Sequence, residues 1–125
     1  MQNYRYKVDM DEHMVLALVH ILFVAPLLLT VGILRTDLPL WVFQGLLGLG
    51  VILFLYQGYK LITRILAGSG KAWINAIHVF LVAPLLLYIG WNQGQGSRAA
   101  FEMVLLVGFA ALGYHSYNLV QQLTS

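Results

Sequence analysis

Four long apolar runs alternate with short polar breaks along the chain. The runs cover roughly 14–34, 40–62, 73–91 and 99–120; the breaks are LRTDLP at 34–39, the stretch around AGSGK at 67–71, and NQGQGSR at 92–98. Each run is close to the ~20 residues that an α-helix needs to cross the hydrocarbon core of a bilayer. The breaks are rich in residues that end helices and make turns. The pattern therefore predicts an all-α, four-helix transmembrane bundle. The first and third breaks are short, so helices 1 and 2 are expected to form one antiparallel hairpin, and helices 3 and 4 another.

The two hairpins read as copies of one unit. A shift of 58 residues carries His20-Ile-Leu-Phe-Val-Ala-Pro-Leu-Leu-Leu onto His78-Val-Phe-Leu-Val-Ala-Pro-Leu-Leu-Leu. The register continues without a gap, matching Gly32 with Gly90, Phe43 with Phe101, Gly50 with Gly108, Tyr56 with Tyr114 and Tyr59 with Tyr117. Shared leucines mean little in apolar helices, whereas shared His, Pro, Gly and Tyr in one register are specific. The first repeat spans 14–62 and the second 73–120, both in a single bundle. Each holds an even number of spans, so both enter the membrane in the same direction, as parallel repeats about a pseudo-twofold axis along the membrane normal.

Composition supports a membrane setting. The chain of 125 residues is 60% hydrophobic and only 10% charged, against about 25% charged in ordinary soluble domains. Its net charge of +2 and scattered basic residues make no nucleic-acid patch. With no cysteine, disulfides and thiolate chemistry are excluded. Asp9, Asp11 and Glu12 precede the first run, which is wrong for the basic start of a secretory signal, so this run is expected to be a permanent helix. Arg5, Lys7, Lys60, Arg64 and Lys71 lie on one side of the predicted membrane, and only Arg35 and Arg98 on the other. The positive-inside rule then places both termini on the cytoplasmic side. Residues 1–13 read as an interfacial segment, with a short solvated tail as the alternative.

The candidate chemistry is one polar constellation at a common depth. His20 and His78 occupy the same height by repeat symmetry. His115 lies in the corresponding half of helix 4, and its repeat partner in helix 2 is Gln57. At 1.5 Å rise per residue these four reach one level, giving an expected His–Gln–His–His layer flanked by Tyr56 and Tyr114. Ionisable residues at such depth usually face the bundle interior. Pro26 and Pro84 each remove one helix hydrogen bond and are expected to kink their helices.

Three readings of this layer are open. Neutral histidines near proline kinks can act as packing glue. Three imidazoles can hold a metal ion, or two can ligate haem iron. For haem, Gly50 and Gly108 lie seven residues before Gln57 and His115, on the same helix faces, where a flat macrocycle would fit; the plainer role of these glycines is close helix packing. Lastly, His and Tyr at one height can pass protons or gate an ion. Glu102 and Gln44 would then line a far vestibule, unless Glu102 simply pairs with Arg98 one turn away. No P-loop, dinucleotide fingerprint, serine triad or paired intramembrane carboxylate is present, so the sequence gives no basis for an enzyme. The leading expectation is an oligomeric ion or proton channel or transporter subunit in the lipid bilayer. Its rivals are a haem- or metal-binding electron carrier using His20, His78 and His115, and a structural subunit of a larger membrane complex.

The unit formed by His78, Pro84 to Leu87 and Gly90, followed by Tyr114-His115-Ser116-Tyr117, resembles short hydrophobic membrane proteins of unassigned function encoded by large DNA viruses of algae and protists. The first copy departs from the pattern at Gln57. The resemblance implies a compact membrane protein and supplies no activity.

Overall fold

The computed structural model describes residues 12–124, His13 by its backbone alone. Most of the expected interfacial segment 1–13 therefore lies outside the described residues. Four helices carry the fold: α1 (Met14–Asp37), α2 (Leu40–Leu66), α3 (Ala72–Gln95) and α4 (Arg98–Thr124). No strand occurs among the described residues. Each helix has 24 to 27 residues and is long and apolar enough to cross a membrane, so the chain has the make-up of a polytopic membrane protein. Both α2 and α4 run four residues beyond the apolar stretches, to Leu66 and Thr124, with Arg64 and Gln121 on helical backbone.

The duplication extends to backbone detail. Within α1 and α3, a π-helical turn opens at the histidine, over His20–Val24 and His78–Val82. Proline explains it. Pro26 and Pro84 lack an N–H, and their rings crowd the carbonyl four residues back. A widened turn absorbs the misfit: the Ala25 N–H donates to the His20 carbonyl, and the Ala83 N–H to the His78 carbonyl. The expected proline distortions are thus single π turns, each centred just before its proline. Past them, Arg35 and Gln93 both take positive φ, 50° and 53°. Each opens a 3₁₀ turn, Arg35–Asp37 and Gln93–Gln95, that leads directly into the next long helix.

Helix pairing differs from the expected hairpins. Extensive packing joins α1 to α4 and α2 to α3, whereas the two helices of one repeat, α1 with α2 and α3 with α4, touch little along their length. Each repeat is an open hairpin, and the two interlock. The glycines show why. A Cβ on Gly90 would lie 2.7 Å from the Leu47 amide nitrogen, and one on Gly32 2.9 Å from Leu105 Cβ. One on Gly50 would meet Leu87 Cγ at 2.9 Å, and one on Gly108 Leu29 Cδ2 at 3.0 Å. Leu47 and Leu105, like Leu29 and Leu87, are themselves repeat partners. The contacts therefore interchange when the copies are swapped, as a twofold axis requires. Gly50 and Gly108 pack closely as expected; Gly32 and Gly90 join them.

The core surrounds these crossings and also comes in pairs: Leu28 with Leu86, Val31 with Ile89, Phe43 with Phe101, and Leu46 with Val104, all buried. Large apolar side chains cover the outside, including Phe23, Phe80, Trp41 and Trp91, each at least two-thirds exposed. In water so continuous an apolar exterior would drive aggregation; in a bilayer it is the lipid-facing surface.

Gly90→Ala forces its new methyl against the α2 backbone, which cannot move aside. It is expected to destabilise the bundle by about 1–3 kcal/mol in reversible unfolding from mixed micelles. Gly45→Ala, whose Cβ would meet nothing within 4 Å, is expected to cost no stability in the same measurement.

Candidate functional site

The π turns set the depth of the polar centre. His20 lies six residues into α1 and His78 six residues into α3, about 9 Å from the helix starts. The pairing of α1 with α4 brings His115 against His20. Their rings stack with centroids 4.1 Å apart and planes 24° from parallel. His78 meets His20 edge-on, at 6.4 Å and 78°. Tyr114 packs its ring edge-on against His115 at 5.2 Å, and against Trp73 at 6.2 Å. Three imidazoles from three helices thus form one cluster, as expected of His20, His78 and His115.

Backbone carbonyls hold two of these rings. His20 Nδ1 lies 2.8 Å from the Leu16 carbonyl oxygen, and His78 Nδ1 2.7 Å from that of Ile74. A carbonyl only accepts, so Nδ1 carries the hydrogen in both rings. Each ring then keeps Nε2 for other partners, and its orientation is set by the helix turn preceding the π segment.

Gln57 and Tyr56 depart from the expected layer. Tyr56 is 57% exposed and points away from the histidines, because it is one residue, and so 100° of helix rotation, from Gln57. Tyr114 alone flanks the cluster. Gln57 is engaged by α3: the Asn75 amide donates to the Gln57 side-chain oxygen at 2.5 Å, and Arg64 donates to the Asn75 oxygen at 2.8 Å. Arginine only donates, which fixes the orientation of the Asn75 amide and hence the direction of the whole chain. Asn75, 4% exposed, is the one buried polar residue among those described.

Asn75 and Arg64 were not singled out from sequence. The signals were present. Arg64 follows Gln57 by seven residues, on the same face of α2, and Asn75 is a lone amide inside an apolar run, three residues before His78. Repeat symmetry sharpens the contrast, since Ala17 and His115 stand where Asn75 and Gln57 stand in the other copy. One of the two equivalent helix crossings is therefore tied by directed hydrogen bonds, and the other by stacked rings.

The geometry bears on cofactors. A metal ion binds in the plane of an imidazole, along the nitrogen lone pair. Stacked rings present faces to each other, so His20 and His115 do not converge on one ion. Among the described residues no group of three His, Cys, Asp or Glu is placed to hold a metal. For haem, the faces at Gly108 and Gly50 are filled, by Leu28 and Leu29 of α1 and by Leu87 of α3. The glycines admit neighbouring helices instead of a macrocycle. At the opposite end, Arg98 Nε pairs with Glu102 at 3.3 Å, with both side chains exposed. Glu102 thus has the partner one turn away that the sequence offered it. No family model, curated protein or solved structure matches the chain.

Asn75→Ala removes both bonds of the Arg64–Asn75–Gln57 chain. In a double-mutant cycle with Gln57→Ala, unfolding in mixed micelles is expected to give a coupling of about 1 kcal/mol, typical of hydrogen bonds between membrane helices.

Proposed function

We propose that the chain is a non-enzymatic subunit of a membrane channel or transporter for protons or small ions, with the imidazole cluster as its proton-exchange site. The observation that carries this reading is the ring contact of His20, His78 and His115 inside the bundle. Imidazole is the side chain whose charge changes near neutral pH, and ionisable groups at this depth mark pathways more often than scaffolding. Orientation by the Leu16 and Ile74 carbonyls leaves Nε2 of two rings for proton transfer. The Gln57–Asn75–Arg64 chain continues the polar region toward the end of the bundle that carries the 67–71 loop.

The other half of the bundle is dry. Phe43, Phe101, Leu46 and Val104 are each 3% exposed or less and close the space between the helices. A complete path would therefore run along the boundary with a second copy or a partner subunit. Gly45 and Gly48 on α2 and Gly113 on α4 face outward with nothing within 4 Å, which suits such a neighbour. The charge asymmetry of the loops favours a cytoplasmic location for the polar end and both termini.

Purified protein in liposomes loaded with a pH-sensitive dye tests the reading. Proton flux is expected above that of empty vesicles, lost for the most part in His20→Ala and His115→Ala and retained in Tyr56→Phe, whose ring faces outward. Wild-type flux equal to that of empty vesicles at every pH would reject it.

A further inference from the structure

The open hairpin of the first repeat leaves a groove of about 570 Å³ between α1 and α2. Leu22, Pro26, Thr30 and Leu34 line it along α1, with Trp41 and Val42 opposite. Thr30 is the only polar residue in the lining. From Leu22 to Leu34 the groove runs about 18 Å along the helix, close to the depth of one bilayer leaflet, about 15 Å.

The second repeat shows what fills the same space. Tyr88 stands at the position of Thr30, and its ring reaches across to the start of α4, where its hydroxyl accepts from the Ser97 N–H at 3.2 Å. The Asn92 side chain, at the position of Leu34, donates to the Tyr88 carbonyl at 2.8 Å. Pro39 stands where Ser97 does, and it has no N–H to offer. The first copy therefore lacks a counterpart of that ring and of the donor that holds it.

The groove mouth differs in charge as well. The turn that follows Leu34 carries Arg35 and Asp37, where the second copy has Gln93 and Gln95. Neither charged side chain has a hydrogen-bond or ion-pair partner among the described residues. An apolar slot one leaflet deep, with one cation and one anion in the turn between its lining residues Leu34 and Leu38, matches a zwitterionic phospholipid. One acyl chain would lie in the slot, the phosphate at Arg35 and the headgroup ammonium at Asp37.

We propose that the groove between α1 and α2 is a binding site for one zwitterionic phospholipid, with Arg35 and Asp37 at its headgroup, and that Tyr88 closes the equivalent site in the second repeat. This proposal is independent of the proton-exchange reading. Delipidated protein in detergent, titrated with dioleoyl phosphatidylethanolamine and read by native mass spectrometry, tests it. The wild type is expected to retain one lipid per chain. Thr30→Tyr, which rebuilds the filling ring of the other copy, is expected to abolish retention. Arg35→Gln is expected to weaken it about tenfold, the loss of one charge-assisted hydrogen bond. Circular dichroism checks that each variant is folded. Retention in folded Thr30→Tyr equal to wild type, or no lipid on the wild type, overturns the proposal. Should Thr30→Tyr fail to fold, Arg35→Gln decides, because its site is in an exposed turn, and unchanged retention there overturns the proposal equally.

Discussion

No hydrophobic force draws one helix to another inside a bilayer, because lipid tails are as apolar as leucine. Association then depends on how closely backbones approach. In this bundle that approach rests on Gly32, Gly50, Gly90 and Gly108, each of which receives a leucine from the opposite helix. The crossings fix α1 on α4 and α2 on α3, and the rest follows. The buried pairs Val31/Ile89 and Phe43/Phe101 surround the same contacts. His115 meets His20, and Gln57 meets Asn75, because those helices are the ones in contact. The two helices of each repeat stay apart, and the groove beside α1 is the space left between α1 and α2.

Much of this was legible in the sequence through its repeat. Span number, the register of 58 residues, the proline-linked distortions and the convergence of His20, His78 and His115 all follow from a pattern that occurs twice. Helix partnering did not follow. Short connections suggest that neighbours pack, but a two-residue gap such as Leu38-Pro39 only limits how far the ends can separate, and the face that packs is chosen by the glycines. The residues missed at the site failed for a related reason. In the sequence Arg64 is one of several basic residues on one side of the membrane, and Asn75 lies within an apolar run. Their partnership across α2 and α3 becomes visible only once those helices are known to be adjacent. Tyr56 erred the other way: shared with Tyr114 by repeat, it sits on an outward face that repeat symmetry alone does not reveal.

The copies share a backbone and differ in what they place on it. At the paired crossings, an amide chain anchored by Arg64 faces stacked imidazoles. A directed hydrogen-bond chain between helices has one good geometry, since its donors and acceptors are fixed along its length. Stacked rings tolerate sliding and rotation and carry no such direction. The α2–α3 contact is therefore joined by directed bonds, and the α1–α4 contact by ring faces.

That difference limits how the imidazole cluster can work. Two positive charges about 4 Å apart repel by about 4 kcal/mol at an effective dielectric near 20, a separation close to that of the stacked His20 and His115 rings. Among the described residues no carboxylate forms an ion pair with these imidazoles, and Glu102 pairs with Arg98 at the other end of α4. The stacked arrangement therefore suits one proton moving among three rings, whereas a doubly charged cluster would push α1 and α4 apart. The Gly32 and Gly108 contacts resist that separation along the dry half. The polar end, where the π turns lie, has no such glycine contact.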